Sequence, residues 1–238
     1  MHKIIFILLL PLMFIQGRLV KKNTPKLPEA AGARVGELGS GPEVSLLLLG
    51  DSAAAGVGVS KQQQALSGTV TSGLAAHFKV SWQLLAKSGA NTEQTLKMLK
   101  KKHNEHALDF DIVVVSLGVN DVLSPISARQ WRQKQVELVE FLTVVVKCRQ
   151  LILTQVPPMG GFPALPQPLR WFLGKRCDEF NQQLTQLATT APLILLDFGA
   201  ELQPELMAVD GFHPGVQIYQ HWGKSVVDTI LLKHQMSV

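Results

Sequence analysis

Three residues of this 238-residue chain have the types and spacing for nucleophilic chemistry. Ser52 follows the apolar run Val44–Leu49 and opens the small-residue segment Ala53-Ala54-Ala55-Gly56. Small residues there would lift the hydroxyl above a sheet and leave substrate room near the backbone. A serine hydroxyl attacks poorly unless an adjacent base takes its proton. His213 is the candidate base. Asp210, three residues earlier, would hold the imidazole tautomer and stabilise the imidazolium. Taken singly, these residues also fit helix capping: Ser52 as an N-cap, Asp210 as an N-cap beside an exposed His213, with Pro214 starting a helix. Their joint presence favours a catalytic trio. Of the other six histidines, His2, His77, His221 and His234 lack an acidic or nucleophilic neighbour at useful spacing, and His103 and His106, flanking Asn104-Glu105 after a lysine run, read as a solvated helix end rather than a metal pair.

Ester hydrolysis needs a second set of groups, donors for the negative oxygen of the tetrahedral intermediate. The candidates are the backbone N–H of Ser52, the backbone N–H of Gly89 and the side-chain amide of Asn120. Glycine suits a close backbone approach, and asparagine supplies N–H groups without a titrating proton. Each of Gly89 and Asn120, alone, also fits ordinary turn chemistry. Asp121 is assigned hydrogen bonds that fix its loop.

These positions require elements to carry them. Five apolar runs, Val44–Leu49, Val80–Ala86, Ile112–Leu117, Leu151–Val156 and Leu193–Leu196, are nearly continuous in Val, Ile and Leu. Continuous runs of that length fit strands buried on both faces. Between and after them lie segments of helical period: 64–78, 92–102, 128–147, 169–188 and 216–233. Strand followed by helix, five times, predicts a single three-layer α/β domain: a five-stranded parallel sheet, flavodoxin-like in architecture, with helices on both faces. In such sheets ligands sit beyond the carboxyl ends of the strands. The candidate residues all follow strand ends.

Four blocks, Gly50-Asp51-Ser52, Ser88-Gly89-Ala90-Asn91, Gly118-Val119-Asn120-Asp121 and Asp210-Gly211-Phe212-His213, occur in that order. The chain thereby resembles the SGNH, or GDSL-type, serine hydrolases, including bacterial lysophospholipase- and arylesterase-like members. The resemblance spans about residues 44 to 232. It implies a serine esterase that forms an acyl-enzyme, with Ser52, Asp210 and His213 catalytic. It implies an oxyanion hole of Ser52, Gly89 and Asn120, and no cofactor or metal. Alternatives are a carbohydrate O-deacetylase or acyltransferase on the same fold, or a silent membrane-anchored binding domain. The expected partner is a small-molecule or lipid ester. The loop Pro157-Pro158-Met159-Gly160-Gly161-Phe162, followed by Leu169, Trp171, Phe172 and Leu173, is a candidate wall of an acyl groove, or simply packs on the next helix.

Composition narrows the alternatives. With 46% hydrophobic and 17% charged residues the chain can build a core, which excludes a disordered protein. Two cysteines exclude a disulfide scaffold. A single tyrosine among 6% aromatics disfavours a single-strand nucleic-acid platform. Four of the five net positive charges lie in residues 1–41, so no nucleic-acid face is expected. That segment begins with the apolar run Ile4–Ile15, about 18 Å of helix, short of a roughly 30 Å hydrocarbon core. It reads as a retained anchor, a cleaved signal or a core helix, with membrane association through residues 4–15. Its Pro- and Gly-rich continuation, 24–42, reads as a linker. The expected organisation is residues 1–41 as leader and linker and 42–238 as a monomeric catalytic domain in the cell envelope, membrane-anchored or periplasmic. Gly223-Lys224-Ser225 lacks the earlier P-loop glycine, since position 218 is Ile, and no G-x-S-x-G occurs.

Overall fold

The computed structural model describes residues 2–197 and 203–235, and of residues 2–8 and 235 only the backbone. Its strands are β1 (Val35–Leu38), β2 (Glu43–Gly50), β3 (Lys79–Ala86), β4 (Ile112–Ser116), β5 (Gln150–Thr154) and β6 (Ile194–Leu196). They form one sheet in the order β1-β3-β2-β4-β5-β6. The consecutive leucines of β2 explain why it lies inside. Leu47 and Leu49 point into one core, and Leu46 and Leu48 into the other. β4 repeats this, with Val113 and Val115 on one face and Ile112 and Val114 on the opposite face.

The helices are α1 (His2–Asn23), α2 (Leu66–Leu74), α3 (Thr92–Glu105), α4 (Val119–Val122), α5 (Ala128–Glu140), α6 (Leu169–Ala188) and α7 (Val216–Gln235). α2 and α7 cover one face through Leu66, Val70, Leu74, Tyr219, Val226 and Ile230. α3, α5 and α6 cover the other through Leu96, Leu99, Leu138, Phe180 and Leu184. Asn91 and Ser127 start α3 and α5 as reciprocal capping boxes with Gln94 and Gln130. The expected 128–147 helix widens into a π-type turn over Phe141–Val145 and stops at Lys147, whose φ is +59°.

One expectation needs correction. Among the described residues the sheet has six strands, not five, and its first is antiparallel, pairing with β3. That strand lies in the segment read as a linker. β1 is a short edge strand whose exposure does not alternate, so it carries no apolar period. Its seat depends on Gly36, where a Cβ would come 3.1 Å from the indole nitrogen of Trp82. The leader run, in turn, belongs to a longer helix, α1, which lies against the body with Met13 buried. Among the described residues no helix is long and apolar enough to cross a membrane.

The parallel register sets up the site. Gly50 of β2 pairs with Ala86 of β3 and with Ser116 of β4. Ser52, Gly89 and Asn120 therefore each follow an aligned strand end by a few residues.

Candidate active site

The Ser52 turn is built from local bonds: Ala55 N–H donates to the Asp51 carbonyl at 2.9 Å, and Val57 N–H to that of Ser52 at 3.0 Å. From below, the buried Tyr219 hydroxyl of α7 lies 2.9 Å from the Ala53 carbonyl and 2.8 Å from that of Val57. The buried Gln62 amide donates to the carbonyls of Ala30 and Ala55, each at 3.0 Å. The Ser67 hydroxyl donates to the Gln62 side-chain oxygen at 2.6 Å.

The 210–215 turn is equally local. Asp210 Oδ1 accepts the N–H groups of Phe212 and His213, both at 3.0 Å. Asp210 Oδ2 lies 2.6 Å from His213 Nδ1, and His213 Nε2 lies 2.9 Å from Ser52 Oγ. With the carboxylate accepting, Nδ1 carries the ring proton and Nε2 is free to accept the Ser52 hydroxyl. Burial pushes the Asp210 carboxyl up. The hydrogen bonds from the His213 ring and from the His213 and Phe212 N–H groups outweigh it and hold it below the usual carboxylate range. The structure thus joins Ser52, His213 and Asp210 in one hydrogen-bonded chain.

Asn120 and Gly89 are joined to that chain indirectly. Gly118, at φ +130°, turns β4 into α4 and so delivers Asn120; a Cβ there would come 2.5 Å from Val156 Cγ2. The Asn120 amide nitrogen donates to Asp51 Oδ2 at 3.1 Å and to the Ala90 carbonyl at 3.0 Å. It thereby links the neighbour of Ser52 to the neighbour of Gly89. Gly89 sits at φ +79°, a left-handed conformation, with open space where a side chain would stand. Asp121 behaves as expected of a loop-fixing residue. It accepts Thr92 N–H at 3.1 Å and the Thr92 hydroxyl at 2.8 Å, while Trp131 and Gln135 donate to that hydroxyl.

Sequence reasoning missed several supports. Asp51 was seen only as a member of its block. It is buried, accepts Ala53 N–H at 3.0 Å, and burial pushes its carboxyl up to about 6, against the pull of that N–H and of His213. Glu29, in the expected linker, accepts the Ser88 N–H at 2.9 Å and the Ser88 hydroxyl at 2.6 Å, next to Gly89. Its other oxygen pairs with Arg34, whose guanidinium also donates to the Ala86 carbonyl at 2.8 Å. Tyr219 and Gln62 complete the set. The available signal was a lone tyrosine in the otherwise apolar stripe of α7.

A cavity of about 40 Å³ adjoins Ser52 and His213, walled by Leu117, Pro157, Phe162, Phe212 and Trp222. The 157–166 loop therefore supplies part of that wall. It also packs on α6, where Gly174 lies so near Gly160 that a Cβ would come within 2.9 Å. Leu169 and Leu173 face the core rather than the cavity, and Trp171 is exposed.

Comparison with solved structures places this arrangement among known folds. The esterase EstA from a Pseudoalteromonas species, inhibited by monoethylphosphonate, is 19% identical, with 82% of this chain and 99% of that one covered at a TM-score of 0.61. A lipase/acylhydrolase from Enterococcus faecalis is 23% identical, with 79% and 95% covered at 0.62. An acetylxylan esterase from Geobacillus stearothermophilus is 18% identical, with 80% and 94% covered at 0.58. At these identities the likeness is one of fold. No curated protein matches the sequence. The profile of the GDSL-like lipase/acylhydrolase family matches residues 48–221, from the strand that delivers Ser52 to the helix that follows His213. Most of the chain lies within that match, so the protein belongs to the GDSL-like lipase/acylhydrolase family, enzymes that hydrolyse carboxylic esters.

Proposed function

We propose that the protein is a serine esterase acting through an acyl-enzyme, with Ser52 as nucleophile, His213 as base and Asp210 orienting it. The observation that carries the reading is the unbroken hydrogen-bonded chain from Ser52 Oγ through both ring nitrogens of His213 to Asp210. Ser52 Oγ attacks the ester carbonyl carbon as its proton passes to His213 Nε2. The carbonyl oxygen becomes an oxyanion, held by the N–H groups of Ser52 and Gly89 and by the Asn120 amide. His213 then gives the proton to the leaving alcohol oxygen as the C–O bond breaks. Water repeats the attack on the acyl-enzyme, with His213 again as base, and releases the acid. Asn120 shares one amide nitrogen between Asp51 and Ala90, so donating to the oxyanion requires it to give up one of those partners.

The cavity beside Ser52 has room for about three waters, since one needs about 10–15 Å³ of such space. Its walls are mostly apolar, which favours a short acyl group. An acetyl group on a sugar fits the same space, and the acetylxylan esterase that shares the fold makes this the second reading. A fluorophosphonate probe tests the mechanism. It should label Ser52 and nothing else, and Ser52→Ala should lose both labelling and turnover. Turnover retained by Ser52→Ala overturns it. p-Nitrophenyl esters of graded chain length, set against acetylated xylan, separate the two substrate readings.

A further inference from the structure

We infer that α1 is an in-plane seat on an anionic lipid bilayer, carried on the body rather than threaded through the membrane. One side of the helix is committed to the protein. Leu9, Met13 and Val20 pack into the core that α6 closes. Between them Gln16 donates to the Gln167 carbonyl at 2.7 Å and accepts the Leu169 N–H at 3.2 Å, which ties α1 to the start of α6. The opposite side is apolar and uncovered. Leu10, Leu12, Phe14, Ile15 and Leu19 are all exposed, Phe14 by 60%. Trp171, two residues beyond the Leu169 that Gln16 holds, is 52% exposed.

The charge on this element identifies the partner. Residues 1–28 contain five Lys/Arg and no acid. The Arg18 guanidinium stands 4.2 Å from the centre of the Phe14 ring, and Lys21 and Lys22 occupy the last helical turn. An apolar strip ending in cations suits a helix lying in the headgroup layer, with its side chains about 5–10 Å into the acyl boundary and its cations at anionic lipids. A second copy of the chain would bring a second set of the same cations against an apolar face that has no acid to receive them. Spanning is not available either, because no described helix is long and apolar enough.

The test uses the full chain and sedimentation with vesicles of phosphatidylcholine plus phosphatidylglycerol, against vesicles of phosphatidylcholine alone. The chain should sediment with the mixed vesicles and be released by salt. Lys21→Glu/Lys22→Glu should weaken partitioning by at least about tenfold, since each cation near such a surface contributes about fivefold. Phe14→Ser/Ile15→Ser/Leu19→Ser should abolish sedimentation while hydrolysis of a soluble short-chain ester stays at the wild-type rate. Ser52→Ala should bind vesicles as the wild type does, so loss of the esterase reading and loss of this one are separate results. A chain that stays in the supernatant with anionic vesicles overturns the inference. So does a triple serine variant that still sediments. A dimer in sedimentation velocity that the triple variant abolishes, without vesicle binding, assigns the face to a second copy and overturns it as well.

Discussion

Replacing Glu29 with alanine should slow the enzyme although the residue lies outside the family match and is 59 positions from the loop it holds. The carboxylate accepts two hydrogen bonds from Ser88, one from the backbone and one from the hydroxyl. Hydrogen bonds to a charged group contribute roughly 1.5–3 kcal/mol when well shielded. The Glu29 side chain is about one-third exposed, so the lower end applies, and the expected loss of stability is about 1–2 kcal/mol. The larger consequence concerns Gly89, the next residue. Losing an oxyanion donor outright costs about 10²–10³ in kcat. Gly89 would not be lost outright. The Ala90 N–H to Lys87 carbonyl bond at 3.1 Å, the Lys87 N–H to Gly50 carbonyl bond at 3.2 Å and the Asn91 cap of α3 all remain. A partial misplacement, about tenfold in kcat or roughly 1.4 kcal/mol, is the expected result.

The assay is kcat and KM on p-nitrophenyl acetate, paired with urea unfolding. Glu29→Gln keeps a carbonyl acceptor for Ser88 and should recover most of the rate. The pH dependence adds a second check. Burial pushes the Glu29 carboxyl up, but the Ser88 hydrogen bonds and the Arg34 charge outweigh it and hold it below its ordinary 4.5. Its folded pKa is depressed, so its contribution is complete above the unfolded value and is lost only as pH falls through the lower, folded one. The rate defect of Glu29→Ala should therefore be constant from about pH 6 to 9. Wild-type kcat in Glu29→Ala would refute the reasoning, as would a glutamine variant as slow as the alanine one.

Asn120→Ala should keep the fold and lower kcat by about 10²–10³; an unchanged kcat would leave Asn120 as a tie between Asp51 and Ala90 only. Asp51, with its carboxyl raised from 3.8 to about 6, binds more protons folded than unfolded between those values, so its part of the stability falls as pH rises through that window. The fall should be about 3 kcal/mol between about pH 4 and 7, and urea unfolding of Asp51→Asn should lack it; equal pH slopes in both proteins would refute it. Tyr219→Phe should cost about 1–3 kcal/mol, because it strips a donor from the buried Val57 carbonyl, and a change under about 0.5 kcal/mol in urea unfolding would show that the turn holds without it.

What the sequence made legible was local. Leu46 to Leu49 fit a strand buried on both faces because the apolar run is continuous, short and closed by Gly50. Ser52 and His213 each sit in a turn closed by its own neighbours, so their blocks carry most of the geometry they need. β1 was illegible for the opposite reason. Four residues at a sheet edge, mostly exposed and containing a glycine, have no period to detect, and their place is set by Trp82 on another strand. Glu29, Gln62 and Tyr219 act across long stretches of chain. Each looks ordinary until the fold brings it under or beside a loop.

The same distinction governs the three aspartates near the site. By residue type Asp51, Asp121 and Asp210 are equivalent carboxyl groups, and in the sequence only the three-residue spacing before His213 sets Asp210 apart. The structure separates them by what surrounds each one. Asp210 faces an imidazole and two N–H groups, which hold it ionised despite burial. Asp51 is buried with one N–H and a neutral amide, so its charge is costly and its carboxyl rises to about 6. Asp121 is raised as well: burial outweighs its bonds from Thr92, and it spends its oxygens on the start of α3. Of the three, only Asp210 is both held ionised and aimed at a ring nitrogen, which is why the proposed mechanism gives it the stabilisation of an imidazolium. That assignment depends on solvation and hydrogen-bond count, which a motif does not encode and a folded site does.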